Sequence, residues 1–114
     1  SSQLRELIGP PTHALPDSLD GPNGSKTSPE DWHQFDQQFI GHTEAAITTR
    51  FGPQTHRWEG MYGNPPVHYR MKYPDAVTAI YERPSGALYL AFCWEKDKLV
   101  CFSANWVPKG VVLD

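Results

Sequence analysis

Two cysteines and five histidines, with the carboxylates near them, are the side chains of this chain that could do chemistry. The histidines stand at positions 13, 33, 42, 56 and 68. None forms H-x-x-x-H or H-E-x-x-H, the spacing that sets two imidazoles on one helical face around zinc. Glu30, Asp31 and Asp36 share a predicted helix and offer an acid/base set, but charge at a helix start has a sufficient reason in the helix dipole. His33 and Asp36 lie one helical turn apart, a common surface pair. Ser85 and Ser103 lack the G-x-S-x-G elbow that exposes a nucleophilic hydroxyl. Neither G-x-x-x-x-G-K-[ST] nor G-x-G-x-x-G occurs, so no glycine-rich phosphate cradle is encoded. An enzymatic reading needs a site assembled in space, where His56 or His68 meets Glu59 or Cys101. From spacing alone we expect no catalytic set, no metal and no cofactor.

Cys93 and Cys101 are better placed to be informative. They fall in the stretch 77–106, which reads as three antiparallel strands joined by two tight turns. The first turn is Arg83-Pro84-Ser85-Gly86-Ala87. Proline suits the second position of a type I turn, and glycine suits the left-handed residue of the bulge that follows. This three-residue loop pairs Arg83 with Ala87 and Ile80 with Leu90. A second loop, Lys96-Asp97-Lys98, pairs Glu95 with Leu99, Cys93 with Cys101 and Phe92 with Phe102. Cysteines facing each other in a non-hydrogen-bonded pair come close enough for a disulfide, which implies an oxidising compartment. Two buried free thiols are the alternative. A two-cysteine zinc site lacks further ligands at a usual spacing.

Strand alternation then sorts the side chains. Ile80, Leu88, Leu90, Phe92, Trp94, Val100, Phe102 and Trp106 make one large apolar face that takes the helices. Val77, Ala79, Tyr81, Tyr89, Ala91, Cys93, Cys101 and Ser103 make a smaller face, open to solvent or a partner.

Two helices precede the strands. Ser28 is a good cap, Pro29 suits the first helical position, and Trp32, Phe35 and Phe39 recur at helical spacing before Gly41. Thr43 caps a second helix with Glu44 in its first turn, through Ala46, Ile47 and Phe51 to a Gly52-Pro53 stop. The expected fold class is α+β, with two short N-terminal helices on one face of a three-stranded antiparallel sheet, in the order α-α-β-β-β. One domain spans 28–108, after a Pro/Gly-rich linker or tail at 1–27 and before a C-terminal tail at 109–114. The stretch 54–76 reads as a long irregular connection, extended near 67–73. Such connections are uncommon and often functional. Trp58, Met61 and Tyr62 sit there among glycines, beside Pro65-Pro66. With Tyr81 and Tyr89 they make the candidate binding surface, because large aromatics in a stiff frame anchor interfaces. The structural alternative is that Trp58 and Tyr62 pin the loop to the domain edge.

Composition narrows the partners. The net charge is −3 with both signs mixed. No basic cluster appears, which argues against a nucleic-acid partner. No apolar run approaches the roughly 18 residues of a membrane span. The chain starts Ser-Ser, as in a trimmed form whose signal peptide or membrane tether preceded Ser1. A monomer is expected.

The segment Phe39-Ile40-Gly41-His42-Thr43-Glu44-Ala45-Ala46-Ile47, continuing to Phe51-Gly52-Pro53-Gln54-Thr55, resembles the signature of the small BamE (SmpA/OmlA) lipoproteins. A strand like Leu88-Tyr89-Leu90-Ala91-Phe92 follows in that family. The β-lactamase-inhibitor-protein repeat resembles the same helix-helix-sheet unit. The resemblance covers about residues 28–106. The chain departs from the pattern in its 58–64 loop, its cysteine pair and the lack of a lipid-bearing N-terminal cysteine. The resemblance implies a non-enzymatic, protein-binding or scaffold module of the periplasm or cell envelope, tethered by lipid in many members. A secreted inhibitor or immunity-type protein using the 58–66 loop is the alternative, and a small enzyme of unknown chemistry is the second alternative.

Overall fold

The computed structural model describes residues 8–19, 29–61 and 67–109. In chain order the elements are α1 (Pro29–Gln37), α2 (Glu44–Phe51), β1 (His56–Glu59), α3 (Val67–Lys72), β2 (Val77–Arg83), β3 (Gly86–Glu95) and β4 (Lys98–Pro108). The strands form one antiparallel sheet in the order β1-β2-β3-β4. The α+β class holds, but the sheet has four strands where three were expected. The added strand β1 and the helix α3 both come from the stretch read as an irregular connection. β1 is a four-residue edge strand whose one half-buried side chain is Trp58, so it carries almost no alternation. α3 has six residues, too few for a helical period to register. The Ser28 cap, Tyr62 and the tail from 110 onward lie outside the described residues.

Both hairpin turns hold two residues rather than three. Arg83 pairs with Gly86, leaving Pro84 and Ser85 as the turn. Gly86 is therefore the first strand position rather than a loop residue, and its φ of 158° is one that still favours glycine. Its Cβ would lie 2.4 Å from the Val107 carbonyl oxygen and 2.7 Å from the Trp106 ring, so only a hydrogen lets β3 and β4 close there. At the second turn Glu95 pairs with Lys98. Lys96 takes a left-handed φ of 61° without being glycine. That conformation costs an ordinary residue roughly 1–2 kcal/mol, which is why a stretch without glycine reads as a longer loop.

Each slip of one residue turns a strand over. Ile80 pairs with Tyr89 instead of Leu90, and Val77, Ala79 and Tyr81 take the helix face. In the first half of β4, Leu99 and Cys101 take that face in place of Val100 and Phe102. A bulge then leaves Phe102 without a partner across the ladder and restores the parity, so Trp106 stands opposite Leu88 on the helix side, as expected. The cross-strand disulfide is corrected by the same slip. Cys93 pairs with Val100 and Cys101 with Phe92. The two thiols leave the sheet on opposite faces, both are buried, and neither is in a disulfide. Burial pushes the Cys101 thiol up to about 12, so it carries no thiolate at neutral pH.

The main core forms between the helices and the sheet. Phe35, Phe39 and Ile47 pack over Leu88, Leu90 and Phe92. Phe35 meets Phe39 and Trp106 edge to face, at centroid distances of 5.3 and 5.5 Å. The Thr43 hydroxyl accepts from the Ala46 N–H at 3.1 Å, and Gly52 ends α2 by donating to the Thr48 carbonyl at 2.8 Å. A smaller cluster of Tyr73, Ala76 and Cys93 lies on the other face, where Tyr73 stacks on Phe102 at 3.8 Å. No helix among the described residues is long and apolar enough to cross a membrane.

The outer edge of β4 is covered by the helical half of the chain. Gly41 donates to the Cys101 carbonyl and Cys101 to the His42 carbonyl, each at 2.9 Å. Further along, the Asp36 carboxyl of α1 accepts from the Trp106 N–H at 2.8 Å. Burial outweighs that hydrogen bond and pushes the Asp36 carboxyl up from 3.8 to about 7. The folded protein thus holds a proton that the unfolded chain has released. From pH of about 4 to about 7 its stability falls as pH rises, and outside that window this group adds no slope. Asp36→Asn keeps an acceptor for Trp106 and removes the titration. Urea unfolding should show the variant gaining on the wild type from pH 5 to pH 8; a constant difference across that range would refute the burial argument.

Residues 8–19, linker-like in composition, lie against the domain. Leu19 is buried in the main core, and Ile8 packs on the Tyr73 cluster of the opposite face. Between them the segment crosses Gly41, where a Cβ would stand 2.8 Å from the Pro11 backbone. The Ile8 N–H donates to Glu95 at 2.7 Å, His42 Nε2 donates to the His13 carbonyl at 2.7 Å, and Arg50 pairs with Asp17 at 2.9 Å.

Candidate functional site

The aromatic residues singled out from sequence do not form one surface. Trp58 pairs with Thr78 and Tyr89 with Ile80, so both half-buried rings share the sheet face opposite α1 and α2. Tyr81 is on the other face and fully buried, in contact with Phe51, and its hydroxyl donates to the Gly52 carbonyl at 2.8 Å. It belongs to the core because β2 is turned over relative to the predicted register. Met61 is half-buried against the Tyr73 cluster. Since 62–66 lie outside the described residues, the loop wedge of the inhibitor reading is seen only from Trp58 to Met61.

Of the catalytic combinations available from sequence, those that need His56 or Cys101 come apart. His56 lies on the Trp58 face, 3.8 Å from the Glu82 carboxylate, with both groups exposed. Glu59 leaves β1 on the opposite side, because residues three apart on a strand point to opposite faces. Cys101 is fully buried in the main core. His68 is exposed on α3. Among the described residues no three His, Cys, Asp or Glu side chains are placed to hold a metal ion.

The residue that sequence reasoning put on the right face but in the wrong environment is Trp94. Alternation sets it with Phe92 and Leu90 on the helix side of β3. Only the first residues of α2 stand beside it, across a cleft, and the ring is 44% exposed. Its indole forms a wall of two clefts. One, of about 310 Å³, is shared with Thr43, Glu44, Asp97 and Leu99. The other, of about 220 Å³, is shared with Arg57, Glu59, Pro74 and Asp75. A sequence signal existed: Trp94 is followed directly by Glu95-Lys96-Asp97-Lys98, a charged hairpin tip that short helices do not cap.

The surrounding charges are ordered. Arg57 grips Glu44 with two hydrogen bonds, Nε at 2.6 Å and Nη2 at 3.1 Å, and Gln54 donates to the same carboxylate at 2.9 Å. The Glu44 hydrogen bond holds the guanidinium above its ordinary pKa. This pair ties the N-terminus of α2 to the edge strand β1 behind Trp94. A wider hollow of about 720 Å³ runs beside α1, but its walls are mostly exposed polar side chains such as His33, Gln34 and Asp31. Trp94 offers the larger apolar anchor, on two hydrogen-bonded strands. No family model, curated protein or solved structure matches this chain, so the reading of the site rests on its own geometry.

Proposed function

We propose that this chain is a non-enzymatic protein-binding or scaffold module whose contact surface centres on Trp94. The observation that carries the proposal is the half-exposed indole set between two clefts. Tryptophan combines a large apolar area with one N–H donor and few rotatable bonds, and it is among the residues that dominate interface energies. A side chain held by a hairpin loses little freedom on docking, which raises the share of contact energy that appears as affinity. Trp58 and Tyr89 on the opposite sheet face make the second candidate surface. Location in the cell envelope, with a tether preceding the domain, is part of the same proposal. Its support is the resemblance of the sequence at residues 39–55 to the BamE lipoproteins; the cysteines, which form no disulfide, add none.

Trp94→Ala is expected to keep the fold, at a stability cost of about 1 kcal/mol for a half-exposed ring. The test compares what the wild type, Trp94→Ala and Trp58→Ala retain from extracts of the source cells. A partner held by the wild type and by Trp58→Ala but lost from Trp94→Ala supports the surface. Identical retained sets for all three sink it. Fractionation that finds the protein wholly in the cytosol removes the envelope assignment.

A further inference from the structure

Resting on the Trp94 surface proposed above, we infer that its occupant is a basic segment of a partner protein, with a lysine or arginine side chain laid across the indole. The argument is one of charge complementarity around an apolar anchor. Glu44 and Arg57 satisfy each other and present no net charge. The remaining charged groups of the two clefts are Glu59, Asp75 and Asp97 against Lys98. Glu59, Asp75 and Asp97 are exposed; none is in an ion pair within 4 Å among the described residues, though Glu59 adds to the field that raises Arg57. The indole is thus an exposed π face with an excess of carboxylates on its rims.

A long cationic side chain meets both demands. Its aliphatic stem covers apolar wall supplied by Trp94 and Pro74, while its charged end reaches the carboxylates. A cation over a tryptophan ring is attracted by the negative face of the π system, and more strongly when water is displaced. An acidic partner would set its carboxylates against this rim. A purely apolar partner would have to desolvate those carboxylates without a counter-charge, at a penalty. The second cleft that Trp94 lines also leaves room for the residues flanking the basic one.

The test uses the ¹⁵N-labelled chain and the indole N–H resonance of Trp94, identified as the signal missing from Trp94→Phe. The probes are end-blocked glycine peptides with one central arginine, lysine, norleucine or glutamate. The arginine and lysine peptides should move the Trp94 signal progressively with peptide concentration, as weak binding by one exposed contact requires. Norleucine, with a similar stem and no charge, should bind several-fold more weakly, and glutamate should leave the signal unmoved. Salt should weaken the lysine response, because the charges are exposed. Asp75→Asn/Asp97→Asn should weaken it at least threefold while the rest of the spectrum keeps its wild-type dispersion. Equal response to norleucine and lysine overturns the inference, as does a Trp94 signal unmoved by the arginine peptide. The two readings fail separately. A natural partner lost from Trp94→Ala but kept by Asp75→Asn/Asp97→Asn overturns the basic segment and leaves the binding surface standing.

Discussion

Phe92→Ala should lose about 3–5 kcal/mol of stability, enough to leave a marginal domain largely unfolded. The ring is fully buried in the core between the helices and the sheet. It sits on the central strand β3, with Val77 opposite on β2 and Cys101 opposite on β4. Truncation would leave a cavity that strands paired on both sides cannot close. Phe102→Ala is the informative comparison. Phe102 is half-buried and stacks on Tyr73 on the other sheet face, so its removal should cost only about 1–3 kcal/mol. The register predicted from sequence puts both rings directly opposite each other in one core, where both truncations would cost alike. Urea unfolding followed by far-ultraviolet circular dichroism distinguishes the two. Equal losses for both variants would contradict the observed register.

The second large effect is expected from Gly86→Ala, which adds a single methyl group. That methyl would meet the Val107 carbonyl oxygen at 2.4 Å and the Trp106 ring at 2.7 Å. Neither neighbour yields cheaply. The carbonyl is backbone of the paired strand, and Trp106 is fully buried. Overpacking of this kind costs about 3 kcal/mol, at the upper end of the usual range. Amide exchange should quicken at residues 105–107 and 87–89, where the β3–β4 ladder has to open. Gly86→Asn separates this account from the loop account. A left-handed loop position accepts asparagine with little loss, whereas a position pressed against a neighbouring strand rejects it at least as strongly as alanine. A Gly86→Asn variant as stable as the wild type would restore the three-residue loop.

Much of the helical half was legible in the chain. Thr43 and Gly52 bound α2 as predicted, because caps act within one helical turn and need nothing distant. Phe35, Phe39 and Ile47 were readable as core from their spacing, and Leu88, Leu90 and Phe92 as their counterpart from strand alternation. What failed was register. Pro84-Ser85-Gly86 and Lys96-Asp97-Lys98 are each compatible with a two- or a three-residue turn. Local preference favoured the longer loop at both, since one segment offers a glycine for the left-handed position and the other offers none for a tight turn. The candidate binding surface inherited that error. Tyr81 and Tyr89 were grouped by the longer loop, and Tyr81 entered the core once the strand turned over.

Residue order by itself determined the class of fold, the two N-terminal helices, the central hairpin and the composition of most of the core. These follow from periods of 3.6 and 2 residues and from caps and turns, all of which are local. Tertiary structure decided which residue stands opposite which. The approach of Val107 and Trp106 to Gly86 selected the first turn. The left-handed Lys96 and the bulge at Phe102 set β4 so that both Cys101 and Trp106 reach the helix side. It also recruited β1 to the edge of β2, where Arg57 holds Glu44 of α2. Trp94 was left uncovered for the same physical reason. A strand's pattern tells which face a side chain takes, but only the reach of the helices across that face tells where cover ends and solvent begins.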